Sequence, residues 1–269
     1  MNELNLPKIG LGTMQGNSKK AKEAFIKAIQ MGYRFLDTAQ MYFNERVVGR
    51  AIAESGVPRE ELIIASKVFI HNFTYRRVKR STQSSLRRLR LEKIDIMYIH
   101  WPFRTYLKRK EKILRAFSEL VDEGKIGYLG LSNFTANHID EALEIYDKEI
   151  VVNQVEMHPW LKQRKLISHL AEKNIKPVAY HPLMHGRINQ VPELVQIAKK
   201  HNVSAAQVSL AWIISKGAIP IPKSVTEKHL RDNFESQNLV LDDEDINLID
   251  SIQYEKRFMD LPVIAPKWD

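Results

Sequence analysis

The feature that most constrains this chain is an alternation that runs almost from end to end. Short apolar runs stand at Ile9–Gly12, Arg34–Asp37, Leu62–Lys67, Ile94–His100, Ile126–Leu131, Val151–Gln154, Lys176–Tyr180 and Ala218–Pro222. Between them lie stretches whose apolar residues recur at helical spacing: Ala21–Met31, Glu45–Ser55, Arg76–Leu89, Ile113–Glu123, Asn137–Asp147 and Leu166–Lys173, then the pair Pro192–His201 and Ala205–Lys216. Runs of strand length that are apolar throughout, joined by amphipathic helices, imply a parallel sheet covered on its outer face. Eight such repeats close most economically into a (β/α)8 barrel, an architecture of about 250 residues, and the chain has 269. A further helix at Asp243–Ile252 and a short tail follow the last repeat. No Pro/Gly/Ser-rich linker interrupts the pattern, so one domain spanning residues 1–269 is expected.

Composition narrows the chemistry. The chain has no cysteine, which removes disulfides, thiol nucleophiles, iron–sulfur clusters and Cys-based zinc sites, and suits a reducing cytoplasm. Met1–Gly10 lacks a basic start followed by an apolar run, so no secretory signal is expected, and no run is long enough to span a bilayer. The net charge of +9 raises the question of nucleic acid. Its densest source, Arg76 to Lys93, alternates basic residues with Val78, Leu86, Leu89 and Leu91 and reads as the solvated face of an amphipathic helix. No nucleic-acid or membrane partner is therefore expected.

In a (β/α)8 barrel the reactive groups sit where the strands end. Those ends carry Asp37 with Tyr42 just beyond, Lys67, His100, Ser132–Asn133, Gln154, Tyr180, and Lys223–Ser224. One polar residue closing one strand is ordinary. A whole ring of ends carrying groups suited to one reaction is not.

These residues also carry a resemblance. Gly32-Tyr33-Arg34-Phe35-Leu36-Asp37-Thr38-Ala39, with Tyr42, Asn44-Glu45 and Gly49, resembles the first aldo-keto reductase signature. Ser66-Lys67-Val68, His100-Trp101-Pro102, Gly130-Leu131-Ser132-Asn133-Phe134, Asn153-Gln154-Val155-Glu156, Ala179-Tyr180 and Ile221-Pro222-Lys223-Ser224 follow in that family's order. Phe35, Met14 and His181 depart from its usual residues.

The resemblance implies a (β/α)8 barrel that reduces an aldehyde or ketone to an alcohol with NADPH, as a monomer and without a metal. It implies a tetrad: Tyr42 as general acid, Lys67 lowering the pKa of that phenol, Asp37 pairing Lys67, and His100 orienting the carbonyl. It places Gly12, Thr13, Ser132, Asn133, Gln154, Tyr180 and Leu183 around the nicotinamide and pyrophosphate. Lys223, Ser224, Thr226, His229 and Asn233 fall around the adenosine and its 2′-phosphate. His229 stands where an arginine is usual, so NADPH discrimination should be weakened and NADH becomes usable. His158-Pro159 reads as a structural turn. The short tail suggests an open, permissive pocket.

Gly10-Leu11-Gly12 with Gly16 lacks the G-x-G-x-x-G spacing of a Rossmann loop. Tyr75 with Lys79, and Tyr106 with Lys110, imitate the Tyr-x-x-x-Lys of short-chain reductases without the glycines that go with it. A different class, a barrel that binds NADPH and regulates a partner, would have no use for the whole tetrad.

Overall fold

The computed structural model describes residues 4–268. Met1–Glu3 and Asp269, the outermost residues of the expected 1–269 span, lie outside the described residues.

Eight strands form one sheet in sequence order: β1 Leu11–Gly12, β2 Phe35–Asp37, β3 Ile63–Val68, β4 Ile94–Ile99, β5 Ile126–Ser132, β6 Ile150–Glu156, β7 Lys176–Tyr180 and β8 Ile219–Pro220. Every neighbouring pair is parallel. The amides of Gly10 and Gly12 donate to Pro220 O and Pro222 O at 3.0 and 3.1 Å, joining the first strand to the last and closing the ring. A Cβ on Gly12 would lie 2.6 Å from Ile221 O, so only glycine admits this approach. Proline limits β8 to two residues, because Pro220 and Pro222 accept from β1 but have no N–H to donate.

Helices cover the outside: α1 Lys19–Met31, α2 Glu45–Glu54, α3 Tyr75–Leu89, α4 Arg104–Leu107, α5 Lys110–Asp122, α6 Ala136–Ile145, α7 Arg164–Glu172, α8 Pro192–His201, α9 Ala205–Ser215, α10 Glu227–Glu235 and α11 Asp243–Asp250. Local signals set many of their ends. Ser18 caps α1, and left-handed Gly32 ends it by donating to Ala28 O and Ile29 O. Pro192 opens α8, and capping boxes built on Ser204–Gln207 and Asp242–Asp245 open α9 and α11.

The eight strands and the helices read from periodicity all appear, most with ends moved by one to three residues. Two helices were not legible. In α10, Glu-Lys-His-Leu-Arg-Asp-Asn-Phe-Glu, only Leu230 and Phe234 are apolar, too few to make a stripe. α4 is a single turn ahead of α5. Among the described residues, no helix is long and apolar enough to cross a membrane.

Candidate active site

A cavity of about 410 Å³ opens at the ends of the strands. Asp37, Tyr42 and His100 line it together with Gly12, Thr13, Ser132, Asn133, Gln154, Tyr180, Leu183 and Lys223. These residues come from seven of the eight strands or the turns that follow them, so barrel closure is what brings them together. Ser224, Thr226, His229 and Asn233 lie outside the cavity, on the segment after β8 and on α10.

Lys67 sits behind this wall, fully buried on β3. Its ammonium pairs with Asp37 Oδ1, donates to Thr38 O at 3.0 Å and reaches the Tyr42 hydroxyl at 3.5 Å. The second Asp37 oxygen accepts from Gln154 Nε2 at 2.7 Å. Gln154, expected to face a carboxamide, thus also holds Asp37, leaving its own carbonyl oxygen for other partners.

Burial lowers the Lys67 pKa, but Asp37 and then Tyr42 outweigh it, and the ammonium is held above its usual range. Burial likewise raises Asp37 against Lys67 and Gln154. For Tyr42 burial is the largest influence, and it lifts the phenol above its ordinary value while Lys67 pulls it down. The ammonium acts in the expected direction, and desolvation of the phenolate is the larger influence. Burial and then Lys67 push His100 well below the usual histidine range, so its ring is neutral at neutral pH. Its Nδ1 is buried with no partner among the described residues, while Phe69 and Tyr42 stand edge-on to the ring at 5.7 and 6.3 Å.

The signature residues beside the tetrad are scaffolding. Asn44 donates to Thr13 O at 2.6 Å and accepts from Thr38 Oγ1 at 2.8 Å, tying the β1 and β2 turns together. Buried Glu45 takes Ser66 Oγ at 2.7 Å and Arg88 Nε at 2.6 Å. Asn133, in the left-handed region, donates to His100 O and Ser132 Oγ, both at 3.1 Å, and accepts from the Tyr180 hydroxyl at 2.7 Å. The flat Tyr180 ring is therefore anchored at its far end. Hydroxyl, amide and aromatic wall together match the donors, acceptors and plane of a nicotinamide carboxamide.

Sequence reasoning missed how the tail is held. Glu156, fully buried at the end of β6, accepts from His158 Nε2 at 2.8 Å and from the backbone amides of Phe258 and Met259, both at 2.7 Å. His158 is a buried structural group, as its turn suggested. Met259, Leu261 and Ile264 then line the cavity. The expectation of a pocket left open by a short tail is corrected here, since the tail folds back as an apolar wall. His181 and His185, stacked at 4.0 Å between ring centroids, line the same cavity, and burial holds His181 down at about 4.

On α10, His229 is exposed in the first turn. The flanking cations are already engaged: Lys228 pairs with Asp232 at 2.5 Å and Arg231 with Glu227 at 3.6 Å.

Known proteins share both sequence and shape with this chain. The model of the aldo/keto reductase family matches residues 8–254. A glyoxal reductase of Bacillus subtilis (strain 168) is 39% identical over 257 residues, covering 95% of this chain and 92% of its own. A methylglyoxal reductase of Escherichia coli O157:H7 is 37% identical over 265 residues, covering 98% and 99%. The crystal structure of an aldo-keto reductase from a Medee basin deep-sea metagenome library superposes with a TM-score of 0.91 at 36% identity, covering 95% of this chain and 94% of that one. Matched along nearly its whole length in sequence and in fold, the chain belongs to the aldo/keto reductase family and is an oxidoreductase.

Proposed function

We propose that the protein reduces a small aldehyde or ketone to its alcohol with NADPH, Tyr42 giving the proton. The observation that carries this is the Tyr42 hydroxyl 3.5 Å from the buried Lys67 ammonium, in a cavity that His100 also lines. The chemistry a bound reduced nicotinamide supplies is a hydride for the carbonyl carbon, balanced by a proton at the oxygen. Tyr42 donates that proton. Neutral His100 orients the oxygen and stabilises its growing charge with a ring N–H. Lys67 favours the phenolate that Tyr42 leaves behind, and Asp37 keeps Lys67 charged and in place. Ser132, Asn133 and Gln154 hold the carboxamide, Tyr180 stacks on the ring, and Gly12, Thr13 and Leu183 border the cofactor. Lys223, Ser224, Thr226, His229 and Asn233 receive the adenosine 2′-phosphate end. The reading takes the chain as one domain, monomeric and cytoplasmic, with no nucleic-acid or membrane partner.

The relatives named for glyoxal and methylglyoxal reduction make those two carbonyls the first substrates to try. Oxidation of NADPH and of NADH is followed with each. Turnover with neither cofactor on a broad carbonyl panel would sink the proposal and favour a regulatory barrel.

Replacing Lys67 by Met separates its charge from its length. Reduction needs Tyr42 protonated, so activity is lost as pH rises through the phenol's pKa. Lys67 pulls that pKa down, so its loss moves the alkaline limb of the pH–rate profile upward. Turnover falls as well, on the order of 10²-fold, because the phenolate left behind has lost its partner. An unmoved limb with unimpaired turnover would remove Lys67 from the mechanism.

His229→Arg tests the cofactor end. A permanent planar guanidinium replaces an imidazole, which lacks the bidentate fork, beside the 2′-phosphate. NADPH should bind about 10- to 100-fold tighter, as a charge-assisted hydrogen bond contributes ~1.5–3 kcal/mol. NADH should barely move. Equal tightening of both would mean that the residue touches something they share.

A further inference from the structure

A second concavity, of about 570 Å³, lies between α2 and α3. Arg46, Arg80, Arg87, Arg88, Ser81 and Ser84 line it together with Gln40, Asn72 and Phe43. Among the described residues no carboxylate belongs to this lining, and most of its side-chain polar groups are donors.

The basic run of α3 was expected to be a solvated face, and part of it is. Arg77 turns away to His71 O at 3.1 Å, and Arg76, Arg77 and Arg90 do not line the concavity. Arg80, Arg87 and Arg88 differ, because i, i+7 and i+8 fall on one helical face. Two of these guanidiniums are already oriented. Arg87 Nη2 donates to Ser84 Oγ at 3.0 Å, and Arg88 is fixed by Glu45 at 2.6 Å and Ser85 at 3.1 Å. Glu45 compensates Arg88, but Arg46, Arg80 and Arg87 have no carboxylate partner among the described residues. Pre-oriented guanidinium forks beside hydroxyls suit phosphate oxygens, which take two parallel N–H bonds from each fork.

Phe43 is the second, independent observation. It is 83% exposed and held at φ 55°, a left-handed conformation costly for a bulky side chain. An exposed ring beside a cationic groove offers a face to a flat group. Gln40 ties the groove to the main cavity. It donates to Ser85 Oγ at 3.2 Å, accepts from Asn72 Nδ2 at 2.9 Å and from the amide of cavity-lining Phe69 at 3.3 Å, and begins the turn that carries Tyr42.

We propose that this groove is a binding site for a phosphate-bearing small molecule, separate from the reductase cavity and abutting the segment that carries Tyr42. The phosphate oxygens sit on Arg80 and Arg87 with Arg46 opposite, and an aromatic ring on the ligand would lie against Phe43. The proposal does not depend on the choice of reductase cofactor.

Calorimetric titration of the full chain with inorganic pyrophosphate and with ADP at physiological salt tests it. Saturable binding is expected, with one equivalent assigned to the groove by its loss in the arginine variants. Arg80→Ala with Arg87→Ala should weaken it about 100-fold, two charge-assisted bonds being lost. Arg80→Lys with Arg87→Lys should still weaken it about 10-fold, because charge remains but the fork does not. Lys223→Ala, at the proposed cofactor end, should leave the pyrophosphate affinity unchanged. Phe43→Ala separates the sources: a loss for ADP alone identifies a nucleotide-like ligand, and no loss for either identifies the free oxyanion. Three results would overturn the site. They are no saturable heat, affinity lost in Lys223→Ala rather than in the arginine variants, and affinity indifferent to Arg→Lys while duplex DNA binds tighter with a steep salt dependence. The last would mark general attraction to a cationic surface.

Discussion

Tyr42→Phe should bind cofactor as the wild type does and lose on the order of 10²–10⁴-fold in turnover, the usual contribution of a general acid. The substitution removes one oxygen and leaves the half-buried ring against His100 and beneath the Lys67 ammonium. Little packing changes, so a loss of activity would not reflect a loss of fold. Single-turnover kinetics at saturating cofactor isolates the chemical step from binding and release. The loss should appear in kcat and in kcat/KM alike, since the proton is passed only on the way to the transition state. Near wild-type turnover in this variant would assign the proton to another donor, and neutral His100 would be the next group to test.

Asp37→Asn should be the most damaging change to the fold near the site. Asp37 receives Lys67 on one oxygen and Gln154 Nε2 on the other. An asparagine presents an N–H₂ to one of those two donors, so one bond becomes a clash and a fully buried ammonium loses its counter-charge. Removing one partner of a buried pair costs about 3–5 kcal/mol. The pH dependence has a definite sign. In the wild type Lys67 is held above its usual pKa, so its contribution to stability is present at neutral pH and is lost as pH rises through the raised value. In the variant the Asp37 charge no longer offsets burial, which outweighs the smaller Tyr42 influence and drives that pKa down. The folded state then binds fewer protons than the unfolded chain, and stability rises with pH until about 10.4, the unfolded lysine value. The gap between the two proteins therefore narrows in alkali. Denaturant unfolding at neutral and alkaline pH would measure it, and a constant gap, or one under about 1 kcal/mol, would show that Lys67 is not held by this pair.

The parts of the molecule legible in the sequence were those in which local chemistry and the global fold agree. β4 and β6 are buried on both faces, so their apolar runs announce parallel strands without knowledge of a partner. The clustering of Asp37, Tyr42, Lys67 and His100 was legible because a barrel puts strand ends together, which turns residues distant in sequence into neighbours. What was not legible depends on contacts with no local sign. The bond from Gln154 to Asp37 spans 117 residues, and the grip of Glu156 on the tail spans 102. Neither glutamine nor glutamate at a strand end says what it will hold. The net Tyr42 shift is not legible for a related reason, since desolvation is set by everything packed around the phenol and residue type alone carries only the Lys67 contribution. α10 was hidden by its polarity: it rests on Leu230 and Phe234, with Phe234 against Tyr33 at 4.9 Å between rings.

Glu156 holds the tail by two main-chain amides, those of Phe258 and Met259. Main-chain donors are the same in every residue but proline, so this clasp is blind to which side chains the tail carries. Asp37 and Lys67 sit on strands, with Tyr42 and His100 in the turns that follow, while the apolar wall of Met259, Leu261 and Ile264 sits on a strap held by backbone bonds. The two can therefore diverge independently. A lineage, or an engineer, could rewrite residues 259–264 position by position, barring only a proline at 259, and keep both main-chain bonds of the clasp while the cavity wall above Asp37, Tyr42 and His100 changes.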